Sequence, residues 1–258
     1  MALILRIDQD NGYALYGGKI TYKLRLLLNY LNENFWAPKL RLLGYLKYLE
    51  VLIEYLDELG IRYSVFFKYN VLAPRDVMRL IRDKGNEIGL HLFSARNFND
   101  FIREVRAVER KVGEHILGFT KHGDGNKKLS RRHAWKYEPE KYILWGLRAG
   151  LMYFNGNKHG YKASIRYVNL NNQHFIYIPE VFYIEPWHRY IKASINDIVD
   201  HISTGGFTVA LVHPCNWFTQ ERTRRELDKL IEKVNNIISF EIFIKNLNRF
   251  NALKDTSK

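Results

Sequence analysis

The feature that most constrains this chain is a series of short apolar segments separated by longer amphipathic ones. Five strand-length apolar segments are clear, and they are residues 3–7, 62–67, 87–93, 116–120 and 207–213. Segments with apolar residues at helical spacing lie between them, for example residues 38–59 and 98–112. Strands that alternate with helices pair in parallel, so the sequence predicts an α/β fold. No linker-like stretch divides the chain, which favours one domain over residues 1–258.

Weaker patterns complete the series. Residues 175–178 and 181–184 are predicted as two strands on either side of Pro179. Residues 20–35 are predicted as the first helix. The leucines at helical spacing in this helix, which we expect on its apolar face, are Leu24, Leu27, Leu28 and Leu31.

Carboxylate and imidazole side chains stand at the ends of four of these strands. They are Asp8, Asp10, His91, His122 and His213. In α/β sheets and barrels the carboxyl ends of parallel strands lie on one side, where binding sites form. A single histidine at a strand end is more often a structural residue, but four such strand ends are hard to explain by packing. The pattern therefore predicts one polar site built from four strands.

The chemistry of this predicted site follows from its residue types. Asp8 and Asp10 share one face of an extended chain, and two close like charges are costly unless a cation or a basic group neutralises them. Mixed Asp and His ligands suit zinc or another divalent transition metal. Such a metal acidifies water, while a carboxylate and a histidine outside its coordination shell serve as base and acid. The residue types are sufficient for metal-assisted hydrolysis.

The chain is basic, with 40 Lys and Arg against 27 Asp and Glu and a net charge of +13. We expect a basic insertion rich in aromatic residues at about residues 120–166, which carry +8 of this charge together with Trp135 and Trp145. Such a charge favours an anionic partner, for example a phosphorylated sugar, a nucleic acid or a membrane surface. Nucleic acid is less favoured because no recognition motif is present, and solvated charge is the usual explanation for such a segment.

The cellular location is predicted from patterns that the sequence lacks. No apolar run is long enough to cross a membrane, and the first residues do not follow a signal-peptide pattern. The single cysteine, Cys215, excludes an internal disulfide framework and a cysteine-based zinc site. We therefore expect a cytoplasmic protein, and the sequence does not predict its oligomeric state.

The strand ends resemble the motifs of the polysaccharide deacetylases, a family of carbohydrate esterases. Residues 6–12, Arg-Ile-Asp-Gln-Asp-Asn-Gly, are similar to the opening Asp-Asp-Gly motif, and residues 64–67 are similar to the Ala-Thr-Phe-Phe strand. Residues 87–91, Glu-Ile-Gly-Leu-His, match Glu-Ile-Gly-x-His closely. Residues 118–119 begin like the third motif, and residues 211–214, Leu-Val-His-Pro, resemble the final Leu-x-His. The resemblance covers most of the chain and implies a distorted (β/α) barrel with mostly parallel strands.

The resemblance also implies a role for each matched residue. These are Asp8 as general base, Asp10 and His91 as metal ligands, and His213 as general acid. The family has another histidine four residues after the one that matches His91, and this chain has Ala95 there. His122 is our candidate for the missing third ligand, and Asn97 is the alternative.

Further departures concern the partners of the base and the acid. Where the family has an arginine after Gly-Phe, this chain has Thr120 and Lys121, so Lys121 or Arg6 is the candidate partner of the base. Glu185 or His188 is the candidate that orients the acid. The predicted substrate-binding residues are Lys121, Trp187 and Trp217, with Trp135 or Trp145 against the face of the sugar.

These inferences predict a metal-dependent hydrolase, with zinc as the metal, that removes an N- or O-acetyl group from a carbohydrate. The carbohydrate is expected to be anionic or nucleotide-linked. The alternative is a catalytically impaired protein that binds a glycan or nucleic acid, which Ala95 and Thr120 favour. A lesser alternative is a glycosyltransferase whose D-x-D motif binds a metal and a diphosphate, although it leaves His91 and His213 unexplained.

Overall fold

A computed structural model of the chain describes residues 2–170 and 173–255, and seven parallel strands in it close into a barrel. In order around the barrel they are β1 (Ala2–Gln9), β2 (Ser64–Phe67), β3 (Glu87–Leu92), β4 (Gly118–Lys121), β5 (Tyr153–His159), β7 (Gln173–Tyr183) and β8 (Phe207–Val212). Strand β8 pairs back with β1, which closes the ring. Two further strands are added at the edges, β6 (Arg166–Leu170) antiparallel to β7 and β9 (Ile237–Ile238) parallel to β1. The predicted distorted (β/α) barrel is confirmed.

Helices follow most of the barrel strands. They are α1 (Lys19–Asn34), α2 (Lys47–Glu58), α3 (Arg75–Asp83), α4 (Phe98–Val112), α5 (Pro139–Arg148), α6 (Ile195–Ser203), α7 (Pro214–Thr219), α8 (Glu221–Lys233) and α9 (Phe240–Asp255). Among residues 2–170 and 173–255, no helix combines the length and the apolar character that a membrane crossing requires.

The side chains of β1 alternate between two cores, as the period of two in a strand requires. Those that join the large core between the strands and the helices are Leu3, Leu5 and Ile7. Ile4 joins a smaller core inside the barrel, and Arg6 and Asp8 follow it on the same side. Alternation therefore carries Asp8 into the barrel at the carboxyl end of the strand.

The amino end of the barrel is closed by aromatic packing. Phe240, at the start of α9, stacks on Tyr153 at a ring distance of 4.8 Å and meets Phe66 edge-on at 5.9 Å. Apolar residues of α9 continue this inner core. Because the amino end is filled, a cleft into the barrel has to open at the carboxyl end.

The predicted break at Pro179 is wrong, since residues 173–183 form the single strand β7. The paired strand accommodates the proline by a register shift. Asn155 pairs with Ile178 and Lys158 with Glu180, so two residues of β5 stand opposite Pro179. A bulge of this kind is where a proline fits into a sheet, because its missing N–H is not needed there.

Several element bounds differ from the expectation. The predicted helix over residues 38–59 begins only at Lys47, after a 3₁₀ turn at Arg41–Leu43 and the left-handed residues Gly44 and Leu46. The strand β6 and the helix α7 were not expected. The basic range 120–166 contains the whole of α5 and β5, so only residues 122–138, 149–152 and 160–165 of it lie outside helices and strands.

Candidate active site

The carboxyl ends of the strands surround a cleft of about 470 Å³. Its lining includes all five predicted strand-end residues, namely Asp8, Asp10, His91, His122 and His213. Their positions follow from the fold. His91 points inward from β3, while Asp10, His122 and His213 follow the ends of three other parallel strands. The structure therefore brings the predicted residues together at one end of the barrel.

Three ligand atoms converge at the bottom of this cleft. Asp10 Oδ1 lies 3.2 Å from His91 Nε2 and 3.0 Å from His122 Nδ1, and the two nitrogens are 3.1 Å apart. The carboxylate oxygen is buried and has no hydrogen-bond partner with acceptable geometry. Three ligands bonded tetrahedrally to zinc at about 2.0–2.1 Å lie roughly 3.3 Å from one another, which is close to the size of this triangle. The residues therefore fit a divalent metal.

The ring of His91 is oriented by Thr120 of strand β4. Its Nδ1 lies 2.6 Å from Thr120 Oγ1, and donation of the Nδ1 proton to that hydroxyl leaves the Nε2 lone pair free to bind a metal. Burial lowers the pKa of His91 to about 4, which keeps the ring neutral near pH 7. Thr120, a departure from the family pattern, therefore has a structural role beside a candidate ligand.

Ala95 and Asn97, the two positions considered after the second motif, do not contribute to the site. Ala95 is buried in the core between strands and helices, and it does not line the cleft. Asn97, the alternative third ligand, caps α4 and accepts a hydrogen bond of 2.9 Å from the amide of Asp100. The alternative ligand is therefore wrong, and the geometry supports His122.

The candidate base Asp8 is held by Arg6, which follows from their spacing on one face of β1. The Arg6 Nε donates to Asp8 Oδ1 at 2.9 Å and Nη2 donates to Oδ2 at 2.6 Å. Two asparagines of β5 complete the arrangement, because Nη1 donates to Asn155 Oδ1 at 2.7 Å and Nη2 to Asn157 Oδ1 at 3.0 Å. Burial opposes ionisation of Asp8, but the guanidinium outweighs it and lowers the pKa of the carboxyl.

Lys121 is therefore not the partner of the base. Its ammonium group is buried and donates to the carbonyl oxygen of His122 at 2.6 Å. The Nε2 of His133 donates to the same oxygen at 2.9 Å, since its Nδ1 accepts from the amide of Leu129. Burial lowers the pKa of Lys121 to about 7. The two side chains hold the backbone of His122, and the Lys121 ammonium donates to this carbonyl oxygen and not to Asp8, although Lys121 also lines the cleft.

The candidate acid His213 is oriented by Glu185. Its Nδ1 donates to Glu185 Oε1 at 2.9 Å, and its backbone N–H donates to the same oxygen at 2.7 Å. Its Nε2 faces the cleft, 3.5 Å from Asp10 Oδ2. Burial works against the charged ring, but Glu185 and the two aspartates raise the pKa of His213 to about 9. Of the two candidate orienting residues, Glu185 makes this contact, whereas the ring of His188 lies 6.0 Å from that of His213.

The predicted substrate-binding tryptophans differ in position. Trp217 is only 5% exposed and packs on Tyr55 at a ring distance of 5.4 Å, so it belongs to the core and does not line the cleft. Trp187 is half exposed beside His188, which lines the cleft, although Trp187 itself does not line it. Trp145 packs against Phe101, and Trp135 lines a different depression. Of these tryptophans, Trp187 stays a prediction for a substrate contact, and so does Lys121, which lines the cleft.

Sequence reasoning missed an aromatic wall of the cleft. Tyr183 stacks on His159 at a ring distance of 4.6 Å, and Tyr190 lies 4.4 Å from the same imidazole. It also missed Asn155 and Asn157, which hold Arg6. The alternate spacing of Asn155 and Asn157 on a short strand could have indicated a shared polar role inside the barrel. No local sequence pattern links Tyr183 with Tyr190.

Comparison with family models and with the sequences of curated proteins gives no match. Among solved structures, the chain is similar to a probable polysaccharide deacetylase from Pseudomonas aeruginosa PAO1, with a TM-score of 0.60 and 10% sequence identity. The match covers 96% of this chain and 91% of the other. The fold is that of the polysaccharide deacetylases.

The polysaccharide deacetylase fold is also shared with a protein of another name. The structure of Puue allantoinase matches with a TM-score of 0.56 and 11% sequence identity, over 92% of this chain and 86% of that one. One fold thus carries differently named activities, and the function of this chain has to be argued from the residues of its own site.

Proposed function

We propose that this protein is a metal-dependent hydrolase that removes an acetyl group from a carbohydrate. The observation that carries the proposal is the convergence of Asp10 Oδ1, His91 Nε2 and His122 Nδ1 within 3.0–3.2 Å of one another. Asp8 and His213, each held by an oppositely charged partner, flank this triangle and line the same cleft. A metal site between a base and an acid is the minimum that hydrolysis of an acetamide or acetyl ester needs.

Three residues are proposed as the ligands, and these are Asp10, His91 and His122. A divalent metal, with zinc proposed, supplies Lewis acidity that polarises the acyl carbonyl and lowers the pKa of water. The ligands are matched to this task because His91 is neutral and Asp10 is ionised. Burial disfavours the Asp10 carboxylate, but the neighbouring imidazoles hold its pKa well below the usual value.

Asp8 is proposed as the general base. Its pKa is lowered by Arg6, so it is ionised across the neutral range, and each carboxylate oxygen keeps a lone pair after accepting from the guanidinium. The bidentate contact also fixes the direction of the carboxylate. Asp8 therefore accepts a proton from the attacking water without turning away from the cleft.

His213 is proposed as the general acid. With a pKa of about 9 it carries its proton at pH 7, and its Nε2 points into the cleft while Glu185 holds Nδ1. The Nε2 proton is then available to the leaving nitrogen or oxygen of the sugar. Base and acid in this proposal keep opposite protonation states because one has a cationic partner and the other an anionic one.

The carbohydrate is proposed from the outer part of the cleft. The stacked rings of Tyr183 and His159, with Tyr190 beside them, offer an apolar wall against which a sugar ring packs. Lys127 and His188 also line the cleft and suit an anionic substituent. The substrate is therefore proposed as an acetylated sugar with a negative group. The cytoplasmic location expected from the sequence is kept as part of the proposal.

The two other sequence hypotheses have weaker support. Ala95 and Thr120 favoured an impaired site, but His122 fills the triangle and Thr120 contacts His91. A glycosyltransferase needs both aspartates of the D-x-D motif for a metal and a diphosphate. Here both oxygens of Asp8 accept from Arg6, which suits a base better than a metal ligand, and the glycosyltransferase hypothesis leaves His91 and His213 without a role.

The test is release of acetate from a panel of acetylated chitooligosaccharides, acetylated sugar phosphates and acetylated nucleotide sugars. We expect release by zinc-loaded protein, none after chelation, and recovery when metal is restored. Asp8→Asn and His213→Gln should each lower the rate at least about 100-fold while retaining metal. The matched controls, Asp83→Asn and His115→Gln, change exposed residues remote from the cleft and should keep the wild-type rate. Metal-loaded protein that binds a sugar of the panel but releases no acetate would instead support the impaired binder.

A further inference from the structure

Helix α1 packs on the barrel with its polar side and presents apolar side chains to solvent. Its buried residues are Leu28, Asn29, Asn32 and Asn34. The opposite side carries exposed Ile20, Leu26, Leu27 and Tyr30, and Ile20 is 84% exposed. The expected apolar face is therefore wrong for Leu24 and Leu27, which are both exposed. An exposed helix normally has the reverse arrangement, with its apolar stripe toward the core.

Hydrogen bonds of the asparagines fix this orientation. The side chain of Asn29 accepts from the amide of Tyr13 at 3.0 Å and donates to the carbonyl oxygen of the same residue at 3.1 Å. Asn32 donates to the carbonyl oxygen of Asn70 at 3.0 Å, and Asn70 donates back to that of Asn32 at 2.8 Å. Turning the leucines inward would leave these polar groups without partners, so the outward apolar side is a built feature.

The apolar surface continues beyond the helix. Trp36 is 75% exposed and Leu42 is 95% exposed, and Phe35 is also exposed. The loop of residues 127–132 joins the same surface, because the amide of Arg131 donates to Asn34 Oδ1 at 2.7 Å and its guanidinium lies 5.7 Å from the ring of Phe35. We call the exposed residues of 16–42 together with this loop the α1 face.

The α1 face is strongly basic. Residues 16–42 contain five Lys and Arg but a single acidic residue, Glu33, whose carboxylate pairs with Lys68. Of the five cations, Arg41 pairs with the exposed Asp76, and the other four are not matched by a further acidic residue of this range. Residues 127–132, Lys-Lys-Leu-Ser-Arg-Arg, add four positive charges and no negative one. Two such faces repel each other, so a second copy of the chain is not a suitable partner. Exposed Leu, Tyr and Trp among Lys and Arg match the interface of a bilayer with anionic headgroups.

We propose that the α1 face docks on the surface of an anionic lipid bilayer, with its leucines and aromatic rings at the acyl boundary. The basic side chains would then lie at the level of the lipid phosphates. Leu129 of the α1 face also lines the cleft, and so does Leu15, the residue that directly precedes the face. Docking therefore brings the mouth of the cleft to the membrane surface. This inference stands independently of the proposed function.

The test is sedimentation of the full chain with vesicles of phosphatidylcholine containing about one third phosphatidylglycerol, against vesicles of phosphatidylcholine alone. We expect binding to the anionic vesicles. Leu26→Gln with Leu27→Gln should lower the partition coefficient at least about tenfold, because two apolar groups are lost from the interface while helix propensity is kept. Lys19→Glu with Lys23→Glu should have a similar effect by removing attraction to the headgroups.

Matched controls change equally exposed residues outside the α1 face. Leu144→Gln on α5 and Lys229→Glu on α8 should bind as the wild type does, and all variants should melt at the wild-type temperature. Failure to bind anionic vesicles would overturn the proposal, and so would wild-type binding by the double leucine variant. Loss of binding in the lysine variant alone would show a polyanion surface instead. A dimer that the leucine variant dissociates, in protein that leaves vesicles unbound, would identify a second copy as the partner.

Discussion

At its amino end the barrel buries Glu87, and at its carboxyl end it buries Asp8 and Glu185, yet the pKa values of these carboxyl groups move in opposite directions. Burial raises the pKa of Glu87 to about 7. The pKa values of Asp8 and Glu185 are lowered, because Arg6 and His213 outweigh the same effect of burial. The difference lies in the partners, since those that reach Glu87 are uncharged donors.

The two ends also differ in how completely their polar groups are satisfied. Glu87 Oε2 accepts from Ser64 and from the amide of Glu241, and Oε1 lies 2.7 Å from the hydroxyl of Tyr153. At the carboxyl end, Asp10 Oδ1 and Glu185 Oε2 are buried without a hydrogen-bond partner. The buried carboxyl group at the amino end thus has all its hydrogen-bond partners within the protein, whereas buried carboxylate oxygens at the carboxyl end remain available to a ligand.

The largest expected effect is loss of the third ligand. His122→Ala should lower metal affinity at least about 1000-fold and abolish any hydrolysis, because two remaining protein ligands hold a divalent ion weakly. Isothermal titration with zinc and metal analysis of the purified variant measure this. The matched control is Asn97→Ala, which removes a helix cap but should leave metal affinity unchanged. Full metal occupancy in His122→Ala would contradict the proposed ligand set.

Loss of Arg6 should cost stability as well as function. Arg6→Met leaves the Asp8 carboxylate buried without its cation, so we expect the free energy of unfolding at pH 7 to fall by about 4 kcal/mol. The double variant with Asp8→Asn should recover much of this loss, since the unpaired charge is gone. Urea unfolding of both variants gives the comparison. If the double variant is no more stable than Arg6→Met, the ion pair is not the source of the effect.

The amino end should show its own pH dependence. The pKa of Glu87 is higher in the folded protein than the unfolded value near 4.5, so its contribution to stability is fully present below about pH 4.5 and is lost as the pH rises through 7. Glu87→Gln should remove this loss, and above pH 8 the difference from wild type should approach about 3 kcal/mol. Thermal unfolding from pH 5 to pH 8 measures it. Parallel pH profiles of the two proteins would contradict the assignment.

The smallest expected effect is that of Glu185→Gln on kcat/KM, through the protonation of the proposed acid His213. Glu185→Gln removes the anion that raises the pKa of His213, so the pKa should fall from about 9 toward the ordinary value and the ring should be deprotonated at pH 8. We expect kcat/KM to fall about tenfold at pH 8 and less at pH 6, with the alkaline limb shifted to lower pH. Equal losses at both pH values would indicate a merely structural role for Glu185.

Local patterns predicted the barrel and the strand-end residues well. Strand segments such as residues 87–92 are short and apolar, and parallel strands bring their carboxyl ends together whatever the details of packing. Arg6 and Asp8 are two residues apart on one strand, so their contact was within reach of the sequence. The contact of Arg6 with Asn155, about 150 residues away, could not be predicted from the sequence, because contact across a closed barrel depends on the whole set of strand pairings.

The directions in which side chains point were harder to predict. Trp217 follows a strand-end histidine, yet α7 turns it against Tyr55 in the core. Lys121 stands next to a candidate ligand, but strand alternation turns its ammonium away from Asp8. The leucines of α1 have helical spacing, but the asparagines on the other side of that helix hydrogen-bond to the loops that follow β1 and β2. In each case a contact distant in sequence decided the outcome.

The sequence by itself therefore determined the parallel strands, the residue types at their ends and the placement of Arg6 on the same face as Asp8, because these depend on periods of two and on neighbours in the chain. The tertiary structure decided that His122 completes the triangle in place of Ala95 and that Glu185 orients His213. It also decided that α1 turns its apolar side outward. These outcomes depend on which surfaces meet when the barrel closes, and closure is a property of all seven strands together.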